Sequence, residues 1–424
     1  MTLAVAAPVS ATLGRAWLAA RMNGLLDKSV AFWIFSGSVV IAEPSPYEFA
    51  FFIVLGVSLF ASKFAFKREA LGIAVLWLAF VPFALIAAFP AKFTPTSETM
   101  IFEFVTIFLM FTSVWVASYV AEAPQERVRL IVNAYIATAV ISALVGTLGY
   151  LGVIPGHDLF TRSMRAKALF KDPNVFGPFL ILPAMYALQR VLLGTPRRAI
   201  IAGAIFLILV IGIFVSFSRA AWGNVIAVGM AVYILCFFLV ANAKEKVRML
   251  LMAMVGLALL GVAFAGLLSI PKVQELFSVR AQATQDYDEG STGRFGRQAY
   301  AFDLALAHPW GIGPYEFRNL RVVEEPHDAY VDALHVYGWG GGLVFWLFLA
   351  ITSWRGILFL FIPSPNRLLL IPAIAVFIGL VVEAAIIDLD HWRHLWLVGG
   401  LIWGVTAGYK RLYAGNGGRL AALV

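Results

Sequence analysis

Apolar residues in this chain run in long blocks, not in alternation and not along one helical stripe. Twelve blocks stand out, at about 29–44, 47–62, 70–90, 100–121, 128–153, 173–193, 198–217, 219–241, 247–270, 328–361, 367–387 and 393–409. A helix that crosses a bilayer takes about 20 mostly apolar residues, and a helix apolar all round is one buried in protein or lipid. The pattern predicts an all-α, polytopic membrane protein with about twelve transmembrane helices. The first two blocks are short, and Glu43-Pro44-Ser45-Pro46 predicts a tight turn between them. Blocks seven and eight are nearly continuous, broken only at Ser216-Phe217-Ser218-Arg219.

Between blocks nine and ten the pattern changes. Residues 271–327 are hydrophilic and hold no spanning block. Connections longer than about 15 residues usually carry function or are disordered. Trp310, Tyr315 and Phe317 are poor components of a flexible linker, so an ordered segment is expected. Two short helices are predicted, over 271–283 and 293–307. In the second, Arg294 and Arg297 stand three residues apart and share a face.

Composition supports the class. The chain has 424 residues, 61% hydrophobic and 13% charged, where soluble domains run about 45–50% and about 25%. Its single cysteine, Cys236, excludes an intrachain disulfide and cysteine-based zinc or iron–sulfur sites. The net charge of +8 needs no nucleic acid, because Lys and Arg mark cytoplasmic loops. Lys63, Lys67, Arg68, Arg127, Arg129, Arg197, Arg198, Lys244, Lys246, Arg248, Arg355, Arg367, Lys410 and Arg411 fall on one side of a twelve-span alternation. That side also holds both termini. The expected division is a cytoplasmic leader (1–28), helices one to nine (29–270), a periplasmic loop (271–327), helices ten to twelve (328–409) and a cytoplasmic tail (410–424). No internal repeat and no Walker A motif is evident.

The opposite side is basic too. Arg162, Arg165, Lys167, Lys171, Arg219, Arg280, Arg294, Arg297, Arg318, Arg321 and Arg393 all fall there. Positive charge resists translocation, so these residues point either to an anionic ligand or to loop charges balanced by Asp286, Asp288, Glu289, Glu324 and Glu325. Arg219 is the sharpest anomaly, since apolar sequence lies close on both sides. It is either a functional charge at the bilayer or a snorkelling arginine in a tight turn. Asp172-Pro173-Asn174 reads as a helix N-cap followed by a first-turn proline, with Asn174 free to line a site. His327-Asp328 opens block ten behind Pro326, with Asp328 as N-cap. A helix over 328–361 would be about 50 Å long, more than a bilayer core of about 30 Å. Gly338, Gly340, Gly341 and Gly342 are expected to break it, or its first turns to stand above the membrane. His327 then sits at the aqueous edge, where it either accepts a proton near neutral pH or merely caps the helix. Asp388-Leu389-Asp390-His391-Trp392-Arg393-His394 offers carboxylates and imidazoles, but reads as a polar interfacial turn with no metal. His391 and Arg393 remain tentative substrate contacts there. Trp310-Gly311-Ile312-Gly313-Pro314 lacks the strand and third glycine of a nucleotide fingerprint.

The order of these motifs resembles the O-antigen ligase and O-antigen polymerase superfamily of bacterial envelope glycosyltransferases. His327, Asp328, Tyr330, Leu334, Gly338 and Gly341 resemble that family's histidine followed by leucine and two spaced glycines. Arg294 with His308-Pro309-Trp310-Gly311-Ile312-Gly313-Pro314, Ser218-Arg219, and Arg165 with Pro173-Asn174 resemble its upstream elements. The family more often has Asn or Ser after the histidine, where this chain has Asp328. The resemblance implies an inner-membrane enzyme, active on the periplasmic face, that transfers a glycan from undecaprenyl diphosphate to a sugar hydroxyl. A ligase would use lipid A–core as acceptor, and a polymerase a second lipid-linked glycan. No cofactor, metal or nucleotide sugar is implied. On this reading His327 is the general base and Arg165, Arg219, Arg294 and Arg297 hold the diphosphate. Arg162, Asn174, Asp328, Tyr330, His391 and Arg393 are further contacts, and apolar spans hold the polyprenyl tail. A glycolipid transporter or flippase is the main competitor, and a non-catalytic scaffold the third reading. A transporter would place its charges nearer the bilayer midplane and show paired half-repeats.

Overall fold

The computed structural model describes residues 9–61, 63, 67–282, 289–321 and 324–414. Every apolar block folds largely as helix, except that the first is helical only to Ser36. The helices are α1 (Val9–Ser36), α2 (Pro46–Phe60), α3 (Leu71–Ala87), α4 (Thr96–Glu122), α5 (Pro124–Tyr150), α6 (Pro173–Phe179), α7 (Ile181–Leu193), α8 (Pro196–Val215), α9 (Arg219–Leu239), α10 (Ala243–Leu268), α11 (Pro271–Arg280), α12 (Arg294–Ala307), α13 (Ala329–Leu360), α14 (Arg367–Glu383) and α15 (Arg393–Ala414). Among the described residues seven elements are long and apolar enough to cross a membrane: α4, α5, α6 with α7, α8, α9, α10 and α13. Helices α2 and α3 are apolar but shorter, at 15 and 17 residues. Leu257 and Val262 of α10 leave 71% and 73% of their surface uncovered, an outward face suited to lipid.

Two features go beyond the sequence reading, each with a local cause. Helix α1 starts at Val9 and runs through the boundary expected at residue 28, because no proline interrupts Val9–Ser36. Residues 415–424 of the expected tail, and Asp286 and Asp288, lie outside the described residues. The class is not purely helical: β1 (Thr161–Arg162) and β2 (Arg165–Ala166) form a small antiparallel hairpin, with Arg162 opposite Arg165. Its two turn residues, Ser163 and Met164, both have positive φ, the geometry that matches strand twist in a two-residue turn.

Other breaks follow the sequence. Helix α8 ends at Val215 and α9 opens at Arg219, with Phe217 between them at φ 49°. Ser218 caps α9 by accepting the Ala221 amide. Asp172 caps α6 by accepting the Asn174 amide at 2.8 Å. The block 173–193 is divided at Leu180. Pro183 has no N–H to give the Phe179 carbonyl, and Tyr135 Oη donates to that oxygen instead, at 2.9 Å.

Helix α13 is broken at Gly338 (φ 71°, ψ 177°). The segment before it docks into the break. Ile312 N donates to His335 O at 2.7 Å, and Trp339 N donates to Pro309 O at 2.9 Å. Both approaches need glycine. A Cβ on Gly311 (φ 82°) would collide with Val336 O, and one on Gly338 would lie 2.6 Å from Pro309 O. Within the hydrophilic segment Phe317 is 1% exposed, packed with Ala301 and Ile312, whereas Trp310 is 66% exposed.

Candidate functional site

Helices α9, α14 and the C-terminal part of α13 enclose a cavity of about 1060 Å³. On α9 its wall runs from Ser218 to Leu235, about 25 Å of helix at 1.5 Å per residue. Along that length the lining is mainly apolar, with Ala231, Leu235, Ile357, Ile374 and Ile378 among it. One end is different. There Arg165, Arg219, Arg280 and Arg294 share the lining with Asn174 and His327.

Each cation arrives on its own element. Arg165 leaves the β2 strand and is 7% exposed, with Nε donating to Ser216 O at 2.9 Å and Nη2 to Asn174 Oδ1 at 2.6 Å. It therefore ties the hairpin to the end of α8 and the start of α6. Arg219 is the first residue of α9, and its Nη1 donates to Gln282 O at 3.2 Å. Arg280 closes α11, and Arg294 opens α12. The hydrophilic segment thus supplies two of the four rim arginines. Strained backbone marks the same places. Met164, Phe217 and His327 have φ of 58°, 49° and 57°, sparsely populated values for side-chain-bearing residues that persist only where surrounding structure imposes them.

His327 lies just before α13. Its carbonyl accepts from Gln298 Nε2 of α12 at 3.1 Å, while Ala329 N donates to Ala384 O at 2.8 Å. Its Nδ1 lies 2.9 Å from Asp388 Oδ2. Burial alone would lower the imidazole pKa. The hydrogen bond and charge of Asp388 outweigh burial and the opposing charges of Arg297 and Arg294, and the net shift is upward. With Nδ1–H given to Asp388, Nε2 keeps its lone pair. That is the tautomer of a general base.

Not every residue singled out in the sequence reaches this cavity. Arg297 shares a helix face with Arg294 but is 3% exposed and ion-paired with Glu324; the hydrogen bond from Arg297 holds the Glu324 carboxyl below its ordinary range. Arg162, on the hairpin surface, donates to Lys171 O at 3.1 Å. Asp328 is taken up by capping, accepting from Tyr330 N and Val331 N. Tyr330 Oη donates to Val381 O at 2.6 Å. His391 stacks on Phe102 at 4.0 Å and meets Thr106 Oγ1 at 2.9 Å. Arg393 Nε donates to buried Glu48 at 2.8 Å. His391 and Arg393 together fasten the start of α15 to the α1–α2 turn.

Sequence reasoning missed two groups. In the sequence Asp388 reads as part of a polar turn, and the DxD spacing gives no sign that it pairs with a histidine 61 residues earlier. Asn224 and Glu383 lie in the cavity wall, joined by Asn224 Nδ2 donating to Glu383 Oε2 at 2.6 Å. A carboxylate in the apolar block 367–387 was the available signal for the second.

Among curated proteins none matches this chain. Residues 204–347 match the model of a protein family described as O-antigen ligase. The match takes in Arg219, Arg280, Arg294, His327 and the Gly338 break, while Arg165, Asn174 and Asp388 fall outside it. A cationic rim, an oriented imidazole and a long apolar groove within one membrane protein accord with that match, which supports a place in the O-antigen ligase and polymerase superfamily.

Proposed function

We propose that the protein transfers a glycan from undecaprenyl diphosphate to a sugar hydroxyl, as an O-antigen ligase whose acceptor is lipid A–core. The observation that carries this reading is the single cavity joining Arg165, Arg219, Arg280 and Arg294 to His327 at one end and an apolar groove at the other. A polyprenyl diphosphate has the same division, an anionic head on a long apolar tail. Guanidinium groups stay charged at any physiological pH and pair in a fork with phosphate oxygens. They stabilise negative charge where it develops as the diphosphate leaves, so this chemistry calls for no metal.

His327 Nε2 takes the proton of the acceptor hydroxyl. The freed oxygen bonds to the anomeric carbon, the carbon–oxygen bond to the diphosphate breaks, and its electron pair departs with the diphosphate. Attack opposite the leaving group inverts the anomeric centre. Asp388 orients the imidazole and stabilises its protonated form. On this reading the cavity end that Arg280 and Arg294 line faces the periplasm, in a twelve-span inner-membrane protein with both termini cytoplasmic. The cations gather at one end of the cavity, which favours a transferase over a transporter with charges along its route.

Purified protein incubated with a lipid-linked oligosaccharide, with and without lipid A–core, tests the reading. Product on the core supports the ligase. Growth of the carrier-linked chain without core would reassign the protein as a polymerase, and no transfer in either mixture would remove the transferase reading.

A further inference from the structure

Beneath His327, outside the cavity lining, three donor side chains converge: Glu325, Asp332 and His335. One ligand atom from each lies within 4.8 Å of the other two. Asp332 and His335 are 7% and 1% exposed. His335 Nδ1 lies 3.2 Å from Val331 O, one turn back on α13. That contact leaves Nε2 as the free lone pair. Nε2 has no hydrogen-bond partner and lies 3.5 Å from Asp332 Oδ1. Glu325 Oε1 is likewise buried without a hydrogen bond. A nitrogen lone pair and carboxylate oxygens facing one another repel unless a cation or a proton stands between them. An imidazole whose other nitrogen is fixed by a backbone carbonyl is the usual state of a metal-ligating histidine.

We propose that Glu325, Asp332 and His335 form a binding site for one first-row divalent transition-metal ion. Two carboxylates and one imidazole favour a metal such as Zn²⁺ or Mn²⁺ over Mg²⁺ or Ca²⁺, which prefer oxygen throughout. Bonds of about 2.1 Å bring donor atoms about 3–4 Å apart, so only small side-chain shifts close the triangle. The site goes beyond the proposed reaction, which calls for no metal. Its role is positional: the ion would join the segment bearing His327, through Glu325, to the first turns of α13. It would fix the histidine against Asp388 without touching the diphosphate.

The test uses the full chain in detergent, stripped with EDTA and titrated with Co²⁺ as a spectroscopic stand-in for Zn²⁺. One equivalent of Co²⁺ per chain, with ligand-field absorption and a raised unfolding temperature, is expected for the unaltered protein. Asp332→Asn and His335→Gln are each expected to weaken uptake by about tenfold or more, since loss of an outer-shell partner alone costs about that much. Glu325→Gln, at the rim of the site, serves the same comparison if either buried variant fails to fold. The absence of stoichiometric uptake by the unaltered chain would overturn the proposal, as would undiminished uptake in the variants that fold.

Discussion

His327 Nδ1 and Asp388 Oδ2 meet at 2.9 Å, joining the start of α13 to the turn before α15. The pair holds Nδ1 and leaves Nε2 with its lone pair. His327→Ala is expected to lower the transfer rate by about 10²–10⁴-fold, the usual worth of a positioned base, while carrier binding survives. Asp388→Asn is expected to lower kcat by a smaller factor with little change in KM, because the base remains but its tautomer is no longer imposed. Steady-state transfer assays on both variants check this, and an Asp388→Asn enzyme with unaltered kcat would deny the carboxylate its orienting role.

The rim arginines act by charge and by shape. Arg219→Ala and Arg294→Ala are each expected to reduce turnover by about 10²-fold, as loss of one transition-state donor commonly does. Lysine at either position should restore only part of it, because an ammonium cannot fork across two phosphate oxygens. Arg297→Ala is expected to differ in kind. Its guanidinium is buried against Glu324, so its loss should appear as a lowered unfolding temperature. Equal kinetic defects in all three alanine variants, at equal stability, would contradict this division.

Ala231 lines the apolar groove twelve residues along α9 from Arg219. Ala231→Trp would fill part of it without touching the rim. The expected result is about a tenfold fall in kcat/KM for the undecaprenyl carrier, with little change for a carrier of a few isoprene units. Competition between the two carriers measures it directly. Equal losses for both would argue against the groove as the tail site.

Gly311 and Gly338 interlock at the α13 break. Gly311→Ala must accept a side chain at φ 82° and a collision with Val336 O. A cost of about 1–3 kcal/mol is expected from the backbone alone, seen as reduced thermal stability in detergent. Gly261→Ala on α10, where a Cβ meets open space, is the control, expected to leave stability unchanged or slightly raised.

Glu43 stands in the α1–α2 turn, with Lys171 Nζ at 3.1 Å, His391 Nδ1 at 3.6 Å and Arg393 Nη2 at 3.7 Å. Burial works against its carboxylate, but the hydrogen bond from His391 and the charges facing it from Lys171 and Arg393 prevail and hold its pKa well below the ordinary 4.5. A folded-state pKa depressed below the unfolded value adds stability that is present above about pH 4.5 and fades as pH falls. Glu43→Gln should therefore lower the unfolding temperature at neutral pH. The gap from the unaltered protein should narrow on acidification below pH 4.5. A gap that stays constant from pH 7 to pH 3 would exclude this linkage.

The sequence by itself determined which stretches leave water and where the helices begin and break. Long apolar blocks required helices in lipid or in a core, and each of the twelve contributes helix. The two short helices of the hydrophilic segment, the Asp172 cap, the break after Ser216 and the break among the glycines of α13 were legible because each depends on neighbours within one or two turns. The tertiary structure alone decided which distant groups meet. Arg294 and Arg297 look equivalent by spacing, yet one lines the cavity and the other is buried against Glu324. Glu325, Asp332 and His335 converge only because the strained backbone at His327 turns the chain back over α13. Periodicity and composition record a local preference for water or lipid. A pairing such as His327 with Asp388 depends on how whole helices pack, and no local preference encodes that.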